Sequence, residues 1–415
     1  MKAYFTSQGR TAYDAITEFL DQLLKLPADR EIRLLVMTFS FTDAELAQAF
    51  VTFCRVRRGV QLCVLADWGQ FKHAPSMIPD PIPNEIPGAE LRYTCDQPYV
   101  WDRKRKQWRW SYHASLGFLH HKGVIALVDD RPFALVCGSA NWTRTARKSF
   151  ENTLYLSADV PGELEIIARF ALEFQAIWCD GQLSLPASAA ETTYAALCGR
   201  PPQLKRPPPP VAEAGQMRAL SLASLENSDQ TMIAFSGRMN DGDQCFGYAR
   251  DNHERACMLA GPNGKPRMRP LSITTLSLAV IFAARPGDRL WLAMFGLSPR
   301  VAEFGALLDA ARSGVLVRVI LDASVGGEVA IRLRSIVAQE ALSVEVRTSA
   351  RTMHQKYCLC PERSCIATGT ANMSVDSSKR HSEHRMLLRD SPDLTAVFCK
   401  DFDDIWEKTT GINVP

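Results

Sequence analysis

Two kinds of apolar pattern alternate along this chain. Nearly uninterrupted apolar runs, IRLLVMTFSF (residues 32–41) and VQLCVLAD (60–67), read as buried strands. Between them, TDAELAQAFVTFCRVRRG (42–59) places apolar residues three and four apart, as an amphipathic helix does, with Thr42 as its candidate N-cap. Strand, helix, Arg-Gly turn and a strand closing on Asp67 make one βαβ-like unit. The same order returns in RLWLAMFG (289–296), PRVAEFGALLDAARSG (299–314) and VLVRVILD (315–322), which closes on Asp322. A unit used twice predicts an α/β protein of two pseudo-symmetric lobes, each a mixed sheet flanked by helices.

The two halves also finish alike. ALEFQAIW (171–178) and CKDFDDIW (399–406) align Phe174 and Trp178 with Phe402 and Trp406. At i, i+4 spacing such a pair docks a terminal helix on a sheet, a structural role. Between the halves lies PPQLKRPPPP (201–210), whose run of prolines favours an extended connector. The expected organisation is a first lobe over 1–182, a linker over 183–212 and a second lobe over 213–415. Residues 213–270 have little clear counterpart in the first half and read as strands and loops.

Composition narrows the picture only a little. With 415 residues, 46% hydrophobic and 22% charged, the chain is ordinary globular material, and a net charge of +3 names no partner. No apolar run is long enough to span a membrane. The first residues lack a secretory h-region, so a cytoplasmic location is expected, although a signal-less export route leaves no such mark. Many of the twelve cysteines sit in apolar runs, as buried thiols in a reducing compartment do.

The chemistry lies between the matched strands and the matched terminal helices. The first half reads LHHKGVIALVDDRPFALVCGSANWT (119–143), then KSFENTLYL; the second reads MHQKYCLCPERSCIATGTANMS (353–374), then RHSEHRMLL. Each contains His-x-Lys, a short hairpin, Gly-(Ser/Thr)-Ala-Asn and a later Glu. In a strand, residues i and i+2 share a face, so His120 and Lys122 project together, as do His354 and Lys356. The hairpin returns Ser139 and Asn141, or Thr370 and Asn372, beside that pair, and the glycine permits close backbone approach. Two facing half-sites would gather imidazoles, ammonium groups and amide and hydroxyl donors around a phosphodiester anion. His121 faces the other side of its strand, which suits packing or hydrogen bonding. Either motif alone would pass for ordinary structure; their recurrence in one order does not.

These paired motifs resemble those of the phospholipase D superfamily. The resemblance implies a two-lobed α/β sandwich with the site between lobes, and covalent catalysis without metal or other cofactor, through a phosphohistidine. One histidine attacks phosphorus while the other protonates the leaving oxygen, and His120 is the expected nucleophile. Lys122, Lys356, Asn141 and Asn372, with Ser139 and Thr370, would steady the non-bridging oxygens. Glu151 and Glu383 resemble the trailing acids that orient a histidine through its far nitrogen. One position departs: the family's usual Asp, five residues after each lysine, is Leu127 in one half and Pro361 in the other, with Asp129 and Glu362 nearby but out of register. That departure weakens assignment to the lipid-cleaving branch more than it weakens catalysis, and GSANWT (138–143) most resembles the nuclease-like and mitochondrial-type members.

The substrate is read from an insertion, residues 68–115. Within WDRKRKQWRW, the cations Arg103, Lys104, Arg105, Lys106 and Arg109 interleave with Trp101, Trp108 and Trp110. Cations neutralise a phosphate backbone and indoles stack on bases, which favours DNA or RNA as the partner. The same mixture suits an anionic phospholipid surface, and a solvated hairpin tip is the plain alternative. His113 is as consistent with local structure as with the pocket edge. Three functions stand: a nuclease, a phospholipase D or phosphatidyl transferase, and a non-catalytic nucleic-acid binder. Oligomerisation is not required, since one chain carries both half-sites. Cys358, Cys360 and Cys365 are spaced like metal ligands but lack a fourth partner, so no metal site is expected.

Overall fold

The computed structural model describes residues 1–73, 85–86, 88–94, 99–102, 107–110, 118–160, 162–179, 184–190, 203–204, 215–218, 231–236, 256–260, 266–270, 272–379 and 381–409. In chain order the first half gives β1 (Lys2–Phe5), α1 (Ala12–Leu24), β2 (Ile32–Thr38), α2 (Ala44–Val56), β3 (Gln61–Asp67), α3 (Trp68–His73) and β4 (Glu90–Thr94). Then come β5 (Tyr99–Asp102), β6 (Gln107–Trp110), β7 (Lys122–Val128), β8 (Arg131–Gly138), β9 (Asn152–Ser157), α4 (Glu163–Trp178) and β10 (Ser184–Pro186). After β11 (Gln203–Leu204), the second half gives β12 (Thr231–Ser236), β13 (Ala256–Ala260), β14 (Pro266–Pro270), α5 (Ile273–Ala283), β15 (Arg289–Met294), α6 (Ala302–Arg312) and β16 (Leu316–Asp322). It closes with α7 (Gly327–Glu340), β17 (Val344–Ser349), β18 (Lys356–Cys360), β19 (Cys365–Gly369), α8 (Val375–Lys379), β20 (Glu383–Arg389) and α9 (Pro392–Trp406).

Fifteen of the described strands build two mixed sheets of one topology, while β11-β6-β5 and β13-β14 form two small sheets apart. The first mixed sheet runs β1-β9-β8-β7-β2-β3-β4-β10 and the second β12-β20-β19-β18-β15-β16-β17. The stretch before β15 does have a counterpart, since β12 lies against β20 as β1 lies against β9, and α5 precedes β15 as α1 precedes β2. The first sheet takes its edge strand β10 from inside the stretch read as linker, pairing Ser184 with Thr94. The helix α2 is capped by Asp43 rather than Thr42, because the Asp43 carboxylate is the group that accepts the amides of Glu45 and Leu46.

The sheets face each other across one shared apolar layer. Leu35, Leu65, Ile125 and Leu154 of the first meet Trp291, Tyr357, Ile366 and Met386 of the second, with α4 and α9 between them. There Phe174 stacks on Trp178 and Phe402 on Trp406, both aromatic pairs fully or nearly buried. The outer faces carry separate cores under α1 and α2 on one side and under α5 and α6 on the other. Asp129 and Glu362, the out-of-register hairpin acids, do matching work at the far sheet ends. Their carboxylates accept the Glu31 and Arg289 amides, each at 3.0 Å, and so fix each hairpin to the entry of its neighbouring strand. Leu127 is buried in the shared layer, and Pro361 opens a short turn.

Candidate active site

Both His-x-Lys segments enter their strands at the lobe boundary. The His120 amide donates to the Ser382 carbonyl (2.9 Å) and the His354 amide to the Phe150 carbonyl (3.0 Å), so each segment is bridged to the other lobe. The residue before each histidine is held from behind. Asp67, at the end of β3, accepts the Leu119 amide at 3.0 Å, and Asp322, at the end of β16, accepts the Met353 amide at 2.9 Å. These strand-ending aspartates fix where the histidines start. The outcome is convergence: the His120 and His354 rings lie 6.4 Å apart, centroid to centroid, at 76°.

The carboxylates cross over. His354 Nδ1 lies 2.9 Å from Glu151 Oε1 and 3.0 Å from Oε2, and Glu151 also receives the Ser139 hydroxyl at 2.6 Å. On the other side, His120 Nδ1 lies 3.3 Å from Glu383 Oε1 but is not aligned as a hydrogen bond. Glu383 receives a hydroxyl from Ser377 (3.0 Å), not from Thr370, whose oxygen accepts the His384 amide instead (3.1 Å). Thr370 thus matches Ser139 in accepting the amide that follows the acid (the Asn152 amide reaches Ser139 Oγ at 2.9 Å) but not in donating to the carboxylate, where Ser377 of α8 takes its place.

Lys122 and Lys356 are fully buried, and each ammonium donates to the carbonyl of the histidine two residues before it, at 2.6 and 2.5 Å. Phe39, just past β2, lies 4.9 Å from the His120 ring and 5.0 Å from Lys122 Nζ. Phe295, just past β15, lies 4.9 Å from His354 and 5.2 Å from Lys356 Nζ. Each His-Lys pair therefore has an aromatic wall. Burial, reinforced by Lys122 and Lys356, holds His120 well below the usual imidazole range. Burial also lowers His354, against the opposing pull of Glu151. Burial drops Lys356 to about 8, although Glu151 and Glu383 resist it, and it depresses Lys122 strongly with help from Lys356. Imidazoles lowered in this way, beside poorly solvated ammonium groups, form a place that a phosphate oxyanion would stabilise and be stabilised by.

The two asparagines differ. Asn372 Oδ1 accepts the Gly296 amide at 3.1 Å, whereas Asn141 Oδ1 is buried with no hydrogen-bond partner among the described residues. The motif glycines make room for a neighbouring strand: a Cβ on Gly138 would overlap the Asn152 carbonyl oxygen, and one on Gly369 the His384 carbonyl oxygen. Of the insertion, Trp101 and Trp108 occupy paired positions on β5 and β6, Arg109 and Trp110 lie on β6, and β11 adds a third strand. Arg103, Lys104, Arg105, Lys106 and His113 lie outside the described residues. Cys358, Cys360 and Cys365 are buried free thiols, with Cys360 opposite Cys365 across β18 and β19. Among the described residues no three His, Cys, Asp or Glu side chains gather as metal ligands, and no helix is long and apolar enough to cross a membrane.

The family model described as "Cardiolipin synthase, PLD-like domain" matches residues 23–178 and 278–406, most of both lobes. The chain belongs to the phospholipase D-like superfamily of phosphodiesterases. No curated protein sequence matches it. Among solved structures, phosphatidylserine synthase of Haemophilus influenzae Rd KW20 shares the fold at 13% identity and TM-score 0.56, over 98% of this chain and 86% of that one. Yeast tyrosyl-DNA phosphodiesterase aligns at 10% identity and TM-score 0.44, over 94% and 90%. Nuc of Salmonella typhimurium, a phospholipase D family member, aligns at 16% identity and TM-score 0.32, over 44% of this chain and 98% of that one.

Several residues of this phospholipase D-like site escaped the motif reading. Asp67, Asp322, Phe39 and Phe295 sit at matched positions of the repeated unit, so the repeat itself marks them. Ser377 and His384 carry no such mark, because neither has a like residue at the matching position.

Proposed function

We propose that this chain cleaves phosphodiester bonds in nucleic acid through a phosphohistidine intermediate. The observation that carries this reading is the meeting of His120 and His354 at 6.4 Å, each beside a carboxylate from the opposite lobe. The aligned Glu151 contact fixes the proton of His354 on Nδ1 and leaves the Nε2 lone pair for attack. That supports His354 as nucleophile, a departure from the expectation of His120. The bound phosphodiester anion offsets the Lys122 and Lys356 charges that disfavour a charged ring, so His120 enters the first step as the imidazolium. The His354 N–P bond forms, the P–O bond to the leaving group breaks, and His120 gives its Nε2 proton to the departing oxygen, ending neutral. In the second, His120 takes a proton from water, the hydroxide oxygen bonds to phosphorus, and the N–P bond breaks. Lys122 and Lys356 turn from the carbonyls they now hold toward the non-bridging oxygens. Every function is supplied by side chains, so turnover in EDTA is the expected result.

The insertion supports nucleic acid as substrate: WDRKRKQWRW interleaves cations with indoles, and Trp101 on β5 pairs with Trp108 on β6. A second reading, phosphatidyl transfer or phospholipid hydrolysis, is favoured by the description of the matching family model and by the synthase that shares the fold. Purified protein incubated in EDTA with single-stranded DNA, RNA, phosphatidylcholine and phosphatidylglycerol decides between them. Cleavage of DNA or RNA that His120→Ala and His354→Ala both abolish is expected. Turnover of lipid alone overturns the nuclease reading, and tight DNA binding without cleavage overturns catalysis.

A further inference from the structure

Behind the motif histidines lies a second polar layer that the proposed chemistry does not use. His121 follows His120, His384 follows Glu383, and both side chains are fully buried. They meet across the lobe boundary with Nδ1 atoms 3.2 Å apart, and their rings stack 5.4 Å apart at 13°. Glu173 of α4, also buried, places Oε1 3.8 Å from His121 Nε2. Phe170 and Phe235 wall the layer in, Phe170 lying edge-on to His384 at 4.6 Å and Phe235 to His121 at 5.8 Å.

The pseudo-symmetric positions carry different chemistry. There the residue after His354 is Gln355, the residue after Glu151 is Asn152, and the helix acid is Asp401. Gln355 donates to Asp401 at 3.2 Å, and Asn152 donates across the boundary to Thr368 at 2.9 Å. One side of the layer is thus amides and the other imidazoles. The side built on amides is the one where His354 and Glu151 close into a hydrogen bond. The imidazole side is where His120 and Glu383 stay 3.3 Å apart and unaligned.

Two ring nitrogens at 3.2 Å need one proton between them; two would repel, and none would oppose lone pairs. The Thr370 oxygen accepts the His384 amide, and its hydroxyl lies 3.4 Å from His384 Nδ1. With that hydroxyl donating, His384 Nδ1 is the acceptor and His121 Nδ1 the donor. Burial, with the charges of His121, Lys122, Arg385 and His120 around it, holds His384 well below the usual imidazole range. Glu173 faces the pair from α4.

We propose that His121 and His384 are positioning residues, whose shared proton ties the residue after His120 to the residue after Glu383 and so sets the approach of that carboxylate to the proton-transferring imidazole. This rests on the phosphodiesterase reading. His121→Leu or His384→Leu should lower kcat about 10- to 100-fold, leave KM within about twofold, and shift the acid limb of the kcat–pH profile. The double variant His121→Gln/His384→Asn, which installs the residues of the opposite side, should recover kcat to within roughly threefold of wild type. Unchanged kcat in the single variants overturns the proposal. So does a loss that tracks the folded fraction with an unaltered pH profile, or a double variant no better than the singles. Nitrogen-15 histidine NMR of the wild-type chain tests the pair without any variant or substrate. One solvent-protected Nδ1–H, coupled to a second Nδ1, is expected, and its absence overturns the proposal. Should wild type cleave no phosphodiester while that signal is present, the functional reading fails and the shared proton stands.

Discussion

His354 Nδ1 lies 2.9 Å from a Glu151 oxygen although the residues are 203 positions apart and belong to different lobes. Each half-site therefore needs the other for its geometry. Because the equivalent contact of His120 with Glu383 is unaligned, the two carboxylates are unequal, and Glu151→Gln should cost more than Glu383→Gln. Loss of the charge that fixes the His354 tautomer is expected to lower kcat roughly 100-fold, and the Glu383 change roughly tenfold. Steady-state kinetics on whichever phosphodiester proves to be the substrate would show the order; equal losses would contradict the asymmetry.

The same asymmetry predicts where phosphate is trapped. Removing the imidazole that activates water should let the first step outrun the second. With a substrate labelled at phosphorus and carrying a good leaving group, His120→Ala is expected to retain acid-labile, alkali-stable label after denaturation. His354→Ala should retain none. Label held by the second variant and not the first would return the nucleophile to His120.

Stability should depend on pH through the buried imidazoles. His120, His354 and His384 are held below their ordinary value chiefly by burial. Unfolded, they titrate near ~6.5, so below that pH the unfolded chain binds more protons than the folded one. Their contribution is complete above the unfolded value and drains as pH falls toward the folded ones. Asp401, raised by burial to about 6, acts in the opposite sense at lower pH, so the clean window lies just above it. Urea midpoints should fall between about pH 7.5 and 6. His384→Asn should flatten that fall.

The repeat made much of this legible. A βαβ unit used twice, with His-x-Lys, hairpin and Gly-(Ser/Thr)-Ala-Asn in the same order, was enough to bring His120 and His354 to one place. What it could not convey was which Glu serves which His. Glu151 and Glu383 follow their own lobe's motif, and the parallel bridges of Leu119 to Ser382 and Phe150 to Met353, which no sequence pattern marks, bring each to the other lobe's histidine. The β12 strand was hidden because its counterpart in the first lobe, β1, is only four residues, KAYF, too short to show a period. Ser377 was hidden because a helix of its own, α8, delivers it where the first lobe uses the motif serine.

The motif glycines offer a last test, since their role is steric and separable from chemistry. At Gly138 any side chain would run into the Asn152 carbonyl, one residue past Glu151; at Gly369 it would run into the His384 carbonyl, one residue past Glu383. The strand must then move away, and the carboxylate moves with it. Gly138→Ala is expected to destabilise the fold by about 1–3 kcal/mol, as overpacking does, read from urea midpoints. It should also lower kcat by more than the lost folded fraction explains, because Glu151 no longer reaches His354. Gly369→Ala should lose comparable stability but less activity, since the Glu383 contact is already slack. A Gly138→Ala variant with normal kcat would mean that the spacing of β8 and β9 does not set the position of Glu151.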